Sequence, residues 1–218
     1  MTAGSHDALW LTVVAFGVYH GLNPAMGWPL AVANGMAARR GAAVFATLAP
    51  LGIGHLLAMA AAVLPFALLA ELYPRGDAIR IGAGVAVLVV GVYKLVDRRH
   101  PRILARIRPT RLAWWSFVMA TAHGAGMMLV PVALGLCAPA SGDAMLRPAP
   151  GSGIAIAVAV TIVHTMAMLA SGIVIAWLVY RFLGLMFMRR VWLNLDGLWG
   201  ASLVVAGGAS VAATLGSR

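Results

Sequence analysis

Residues 18–30 read VYHGLNPAMGWPL, and they interrupt a run that is otherwise apolar from Ala8 to Ala38. A helix facing lipid would carry leucines at these positions. This one carries a histidine, an asparagine, two prolines and two glycines. Proline removes a backbone donor and glycine loosens the helix, so the stretch predicts a break near Asn23-Pro24 just after His20. Broken helices at membrane depth are tolerated where the freed backbone faces protein or a cavity. The break thus places an interior, not a lipid face, beside His20.

The rest of the chain supports a membrane setting. Of 218 residues, 62% are apolar and only 10% charged, with a mean hydropathy of +0.92; soluble domains carry about 25% charged residues. The formal charge of +10 could suggest nucleic acid as a partner. The basic residues instead gather in short turns between apolar runs, where membrane topology accounts for them, and nucleic acid is set aside. The first apolar run has no basic segment before it and holds Asn23-Pro24 within it, so it reads as a membrane span and not as a cleavable leader.

A bilayer core about 30 Å thick needs roughly 20 helical residues. Six segments qualify, at about 8–36, 42–70, 79–96, 112–136, 153–180 and 191–215. Their five connecting turns carry 2, 2, 7, 1 and 3 Lys or Arg. Alternate sides therefore total 12 and 4, Arg218 included. The excess side is cytoplasmic by the positive-inside rule, which puts both termini outside. Trp114, Trp115 and Trp192 fall where spans 4 and 6 leave that face, as interfacial indoles. The basic stretch DRRHPRILARIRPTR, with His100 in it, reads as a cytoplasmic anchor meeting anionic head groups.

An internal repeat runs through the spans. His20-Gly21 in span 1 matches His123-Gly124 in span 4; HLLAM from His55 in span 2 matches HTMAM from His164 in span 5. In spans 3 and 6, GVAVLVVG from Gly84 aligns with GASLVVAG from Gly200. The matches keep one order in both halves. The expected architecture is all-α, with a first three-helix repeat at 1–96, a basic cytoplasmic linker at 97–111 and a second repeat at 112–218. Because each repeat has three spans, the second enters from the opposite face, giving a 3+3 inverted-topology repeat. Secondary transporters of this design place substrate near the midplane, beside interrupted helices. Gly124 and Gly126 would then be a softer counterpart of the Asn23-Pro24 break, and all four are expected hinge or substrate-path residues.

At 1.5 Å per residue, His20, His55, His123 and His164 each lie roughly 16–20 Å into their spans, near the middle of the core. One intramembrane histidine is explained by a packing hydrogen bond worth about 1 kcal/mol. Four at one depth point to a metal or proton pathway, or to cofactor ligation. Met59, Met127 and Met168 each follow a histidine by four residues, which stacks both side chains on one helix face. Imidazole suits nickel, copper, zinc and iron, and thioether favours monovalent copper. Methionine is equally an ordinary filler of apolar interfaces. Asp196 is the one carboxylate expected inside a span, as a proton-coupling group or as an interfacial partner of Arg189 or Arg190. The scarcity of carboxylates disfavours a hard-cation site for magnesium or calcium.

YHGLNPAMG in a broken first span, with a 3+3 inverted repeat in about 220 residues, resembles the lysine-exporter superfamily. That group includes nickel/cobalt exporters, urease-accessory-type permeases and the electron carriers of cytochrome c biogenesis. The resemblance implies a six-span protein with a central site made by spans 1 and 4 and their neighbours. It departs from the nickel/cobalt members in lacking a His/Asp-rich first span, since only His20 and Asn23 stand there. It departs from the electron carriers in having Cys137 as its only cysteine.

The expected function is a permease of a bacterial cytoplasmic membrane. It would move a transition-metal ion (nickel, cobalt, copper, iron or zinc) through His20, His55, His123 and His164, with Met59, Met127 and Met168 as soft auxiliaries. Lipid and a small inorganic cation are the expected partners, and homo-oligomerisation is left open. A haem-binding electron carrier is the alternative, followed by a membrane enzyme with a histidine-bound metal. No ATP-binding motif is present.

Overall fold

A computed structural model describes residues 3–72, 76–96, 111–137, 151–183 and 195–216. All secondary structure among them is helical: α1 (Ala3–Leu22), a 3-10 turn (Pro24–Met26), α2 (Trp28–Ala37), α3 (Ala42–Leu72), α4 (Gly76–Val96), α5 (Leu112–His123), α6 (Ala125–Leu136), α7 (Ser152–Leu178, continued by a π turn Val179–Leu183) and α8 (Leu195–Gly216). Three helical segments, Ala42–Leu72, Asp77–Val96 and Ser152–Leu183, are long and apolar enough to cross a bilayer; a fourth is added if α5 and α6 count as one bent span. Residues 97–110 of the basic linker, with His100, and Trp192 lie outside the described residues.

Both expected breaks are present, and their chemistry differs. After α1 ends at Leu22, the Asn23 side-chain oxygen accepts from the Ala25 amide at 3.0 Å and caps the 3-10 turn, with Pro24 at its first position. Gly27 then takes φ 98°, which an L side chain rarely adopts, and Pro29 follows in the first turn of α2. The Trp28 indole N–H donates back to Leu22 O at 3.2 Å, so a carbonyl freed by the break is satisfied within the protein. In the second half Gly124 alone makes the break, at φ 71° and ψ 27°, and α5 and α6 meet at 68°. This junction is sharper than its sequence suggests. A single left-handed residue ends a helix as effectively as a proline.

Glycines set which helices touch and in which direction. A Cβ on Gly17 would meet His164 O and Ala167, and one on Gly21 would meet Met168 O and Ser171. Contacts therefore advance together along α1 and α7, which run parallel. Gly54 abuts Ala113 O and Ser116, whereas Gly126 abuts Ala62 and Ala58 O, so α3 runs parallel to α5 and α6. Gly52 against Leu169 and His55 against His164 make α3 and α7 antiparallel. Gly84 approaches Gly207 O, and Gly200 approaches Gly91 O, so α4 and α8 are antiparallel. Close backbone approach through small residues is the usual packing device between helices in lipid. Even a methyl group at Gly21 would collide with the α7 backbone, so Gly21→Val should destabilise the fold by about 1–3 kcal/mol. A thermal midpoint in detergent equal to wild type would contradict this packing.

The burial pattern is inverted relative to a soluble bundle. Large apolar side chains such as Leu11, Ile53, Leu57, Val89, Ile162, Met166 and Val174 are exposed, while His20, Asn23, Thr47, His55, Ser116, Thr161, His164 and Thr165 are buried. Polar groups inside and aliphatic groups outside suit a hydrocarbon solvent. Hydroxyls reinforce helix contacts: buried Ser116 donates to Leu51 O at 2.7 Å, and half-buried Ser171 to Val18 O at 3.1 Å.

Candidate functional site: a layer of three buried histidines

His20, His55 and His164 meet. His20 stands in the last turn of α1, immediately before the break; His55 and His164 stand near the middle of α3 and α7. Their ring centroids are 5.5 Å apart for His20–His55, 4.9 Å for His20–His164 and 5.6 Å for His55–His164. The two His20 contacts are edge-on, and His55 and His164 stack with nearly parallel planes, at 15°. None of the three is more than 1% exposed. Parallel α1 and α7 and antiparallel α3 supply them, brought close by Gly17 and Gly21.

Backbone carbonyls orient two of the rings. His20 Nδ1 lies 3.1 Å from Phe16 O, and His164 Nδ1 lies 3.4 Å from Val13 O in the neighbouring helix. A carbonyl only accepts, so each Nδ1 carries the hydrogen. Such a bond fixes the orientation of the ring. The Nε2 atoms of His55 and His164 are buried with no hydrogen-bond partner among the described residues. Leaving a buried polar atom unpaired typically costs about 1–3 kcal/mol, which calls for a reason.

His123 stands at the second break. It ends α5, is 9% exposed, and donates from Nδ1 to Met119 O at 2.9 Å, within electrostatic range of His20. The ring contacts just described join only His20, His55 and His164. Met59 and Met168 are buried, one helical turn beyond His55 and His164 respectively, while Met127 is half-buried at the edge of the main apolar core. Since α3 and α7 run oppositely, the two buried thioethers fall on opposite sides of the histidine layer, each about 6 Å along its helix. Met168 also lines a small apolar crevice with Gly21, Met26, Trp28 and Leu51, directly beside the α1 break. The Asp196 side chain lies outside the described residues. Among those described, no group of three His, Cys, Asp or Glu side chains is arranged to hold a metal ion.

Two polar groups near this region escaped the sequence reading. Thr165 Oγ1, beside His164, is buried with no partner among the described residues; its place in HTMAM was visible, but a threonine in a helix normally bonds its own backbone. Trp114 is exposed as an interfacial indole should be, but Trp115 turns inward: its ring lies against Gly27, and its indole N–H is buried with no partner among the described residues. The tight Gly27 corner supplies the space that draws it in.

The described residues thus define an all-helical protein suited to a membrane, with imidazoles in its interior and aliphatic side chains outside. Comparisons with protein-family models, curated proteins and solved structures returned no match. Cys137 caps α6 at the end of that helix, where burial raises its thiol pKa above the ordinary value. It therefore stays protonated, a weak ligand and a poor nucleophile.

Proposed function

We propose that this chain is a six-span permease of the cytoplasmic membrane, built as a 3+3 inverted repeat and akin to the lysine-exporter superfamily, that moves a transition-metal ion through the layer formed by His20, His55 and His164. The observation that carries the reading is the convergence of three buried imidazoles from three helices, two of them with Nδ1 bonded to carbonyls. Three imidazoles bound at about 2.0–2.1 Å to one ion would have ring centroids about 5.2–5.5 Å apart. The separations of 4.9–5.6 Å bracket that span. To bind one ion in this way, the stacked pair would need to turn toward a common point.

The repeat draws support from packing. Exchanging the halves carries the α1–α7 pair onto α5/α6–α3, and both pairs are parallel; it carries the Gly84–Gly207 approach onto Gly200–Gly91, and both occur. His123 belongs in this reading to the path and not to the layer, together with Asn23, Pro24, Gly124 and Gly126 at the two breaks. Direct ring-to-ring contact favours an ion over haem, which would need a porphyrin-wide gap between axial imidazoles.

The reading is tested by flux into proteoliposomes carrying a metal-sensitive dye, with nickel, cobalt, copper, iron and zinc offered in turn. Transport of at least one ion above protein-free vesicles is expected. No flux of any of the five would sink it.

A further inference from the structure

We infer that the corner between the α2–α3 turn and the end of α7 binds the headgroup of an anionic phospholipid, with Arg39, Arg40 and Arg181 on the phosphate and an exposed aromatic cluster beside its acyl chains. The inference goes beyond the permease reading, since it depends on a membrane setting and not on any cargo.

The turn carries a backbone outlier. The Arg39 amide donates to Met36 O and the Arg40 amide to Gly35 O, both at 3.1 Å, which is the paired bonding of a Schellman cap at the end of α2. The left-handed place in that cap normally belongs to glycine. Here Arg39 holds it at φ 52°, the only non-glycine residue with a positive φ among those described. Strain of this kind concentrates at functional positions, and the side chain that a glycine would lack is a guanidinium.

The end of α7 packs on the same turn. A Cβ on Gly41 would meet the Trp177 ring at 2.9 Å, and one on Gly35 would meet the Tyr180 ring at 3.3 Å, so both rings lie against the segment that carries Arg39 and Arg40. Arg181 follows Tyr180 directly and rests over the Phe182 ring at 5.9 Å. All three arginines are exposed. Phe45, at the start of α3, lies 5.5 Å from Trp177, and these two rings are 43% and 39% exposed. Because α3 and α7 are antiparallel, these parts share one end of the bundle, while Asp7, Glu71 and Asp77 stand at the other.

The chemistry of the corner selects its occupant. Guanidinium groups pair with phosphate oxygens through two parallel hydrogen bonds, and indole and phenyl rings favour the level where acyl chains meet headgroups. A free phosphate would use the arginines alone; a phospholipid uses both parts. In the topology proposed above the corner faces the cytoplasmic leaflet, where anionic lipids are concentrated. A basic side chain near such a surface is worth about a fivefold preference.

The test places the full chain in phosphatidylcholine vesicles with a minor share of brominated phosphatidylglycerol or, in parallel, the same share of brominated phosphatidylcholine. Bromine quenches an indole it touches, and the emission of Trp177 is taken as the difference between wild type and Trp177→Phe. Quenching of Trp177 should be about fivefold or more stronger with the anionic lipid. Arg39→Gln/Arg40→Gln/Arg181→Gln should remove that excess with the thermal midpoint kept. Arg39→Gly should shrink the excess while raising the midpoint in detergent, because glycine relieves the strained turn. Equal quenching by the two lipids, or an excess that survives the triple substitution, would overturn the site. An excess lost in sodium phosphate but kept in sodium chloride of equal ionic strength would assign the arginines to a free anion and overturn the lipid. None of these readouts involves metal flux, so failure of the permease reading leaves them intact.

Discussion

Leucine in place of His55 should raise the stability of the protein by about 1–3 kcal/mol while abolishing metal flux. The two signs are opposed for one physical reason. His55 is 1% exposed, and its Nε2 has no hydrogen-bond partner among the described residues. The protein therefore bears the cost of a desolvated ring nitrogen, and an apolar side chain of similar volume removes it. A histidine kept for packing or for a helix-to-helix hydrogen bond would behave the other way, with its loss lowering stability and sparing flux. Strain and desolvation held at a working site are the usual form of the trade between stability and activity. Thermal unfolding in detergent and flux in proteoliposomes, measured on the same preparation, check both signs.

Gly124→Val should be among the most damaging single substitutions outside the histidine layer. At φ 71° and ψ 27° Gly124 sits in the left-handed region, where a β-branched residue is an outlier. A Cβ there would also stand 3.3 Å from Val90 of α4. The strain amounts to roughly 1–3 kcal/mol, and relieving it would straighten the 68° junction and displace His123, which immediately precedes it. Gly124→Asn provides the control, since asparagine tolerates the left-handed region better than any β-branched residue. The expected order of flux is glycine, then asparagine, then valine, with valine near background. Equal flux in all three would mean that the bend has no part in transport.

Much of the helical layout was legible because membrane spans announce themselves by length. Segments expected at 42–70, 112–136 and 153–180 appear as Ala42–Leu72, Leu112–Leu136 and Ser152–Leu183. The break after His20 was legible because Asn-Pro is unambiguous punctuation, whereas the sharpness at Gly124 was not. A glycine bends a helix only if tertiary packing selects its left-handed conformation. Which face of each helix turns inward was marked only by polar residues, since α3 and α7 are apolar all round. His55 and His164 announced their faces; Trp115 did not, because an indole is at home at an interface as well as in a core. Equal depth made four histidines look equivalent. Depth is one coordinate, and azimuth is set by which glycines let which helices approach: His20 reached the layer through Gly17 and Gly21.

The central claim is that His20, His55 and His164 together hold a metal ion. X-ray absorption at the metal edge, on the full chain loaded with one equivalent of the transported ion and freed of excess, addresses it directly. The account predicts one ion per chain with two or three imidazole nitrogens at about 2.0 Å, and no bound ion in His20→Leu/His55→Leu/His164→Leu. An ion retained by that triple variant, or a first shell without imidazole in the wild type, would contradict it.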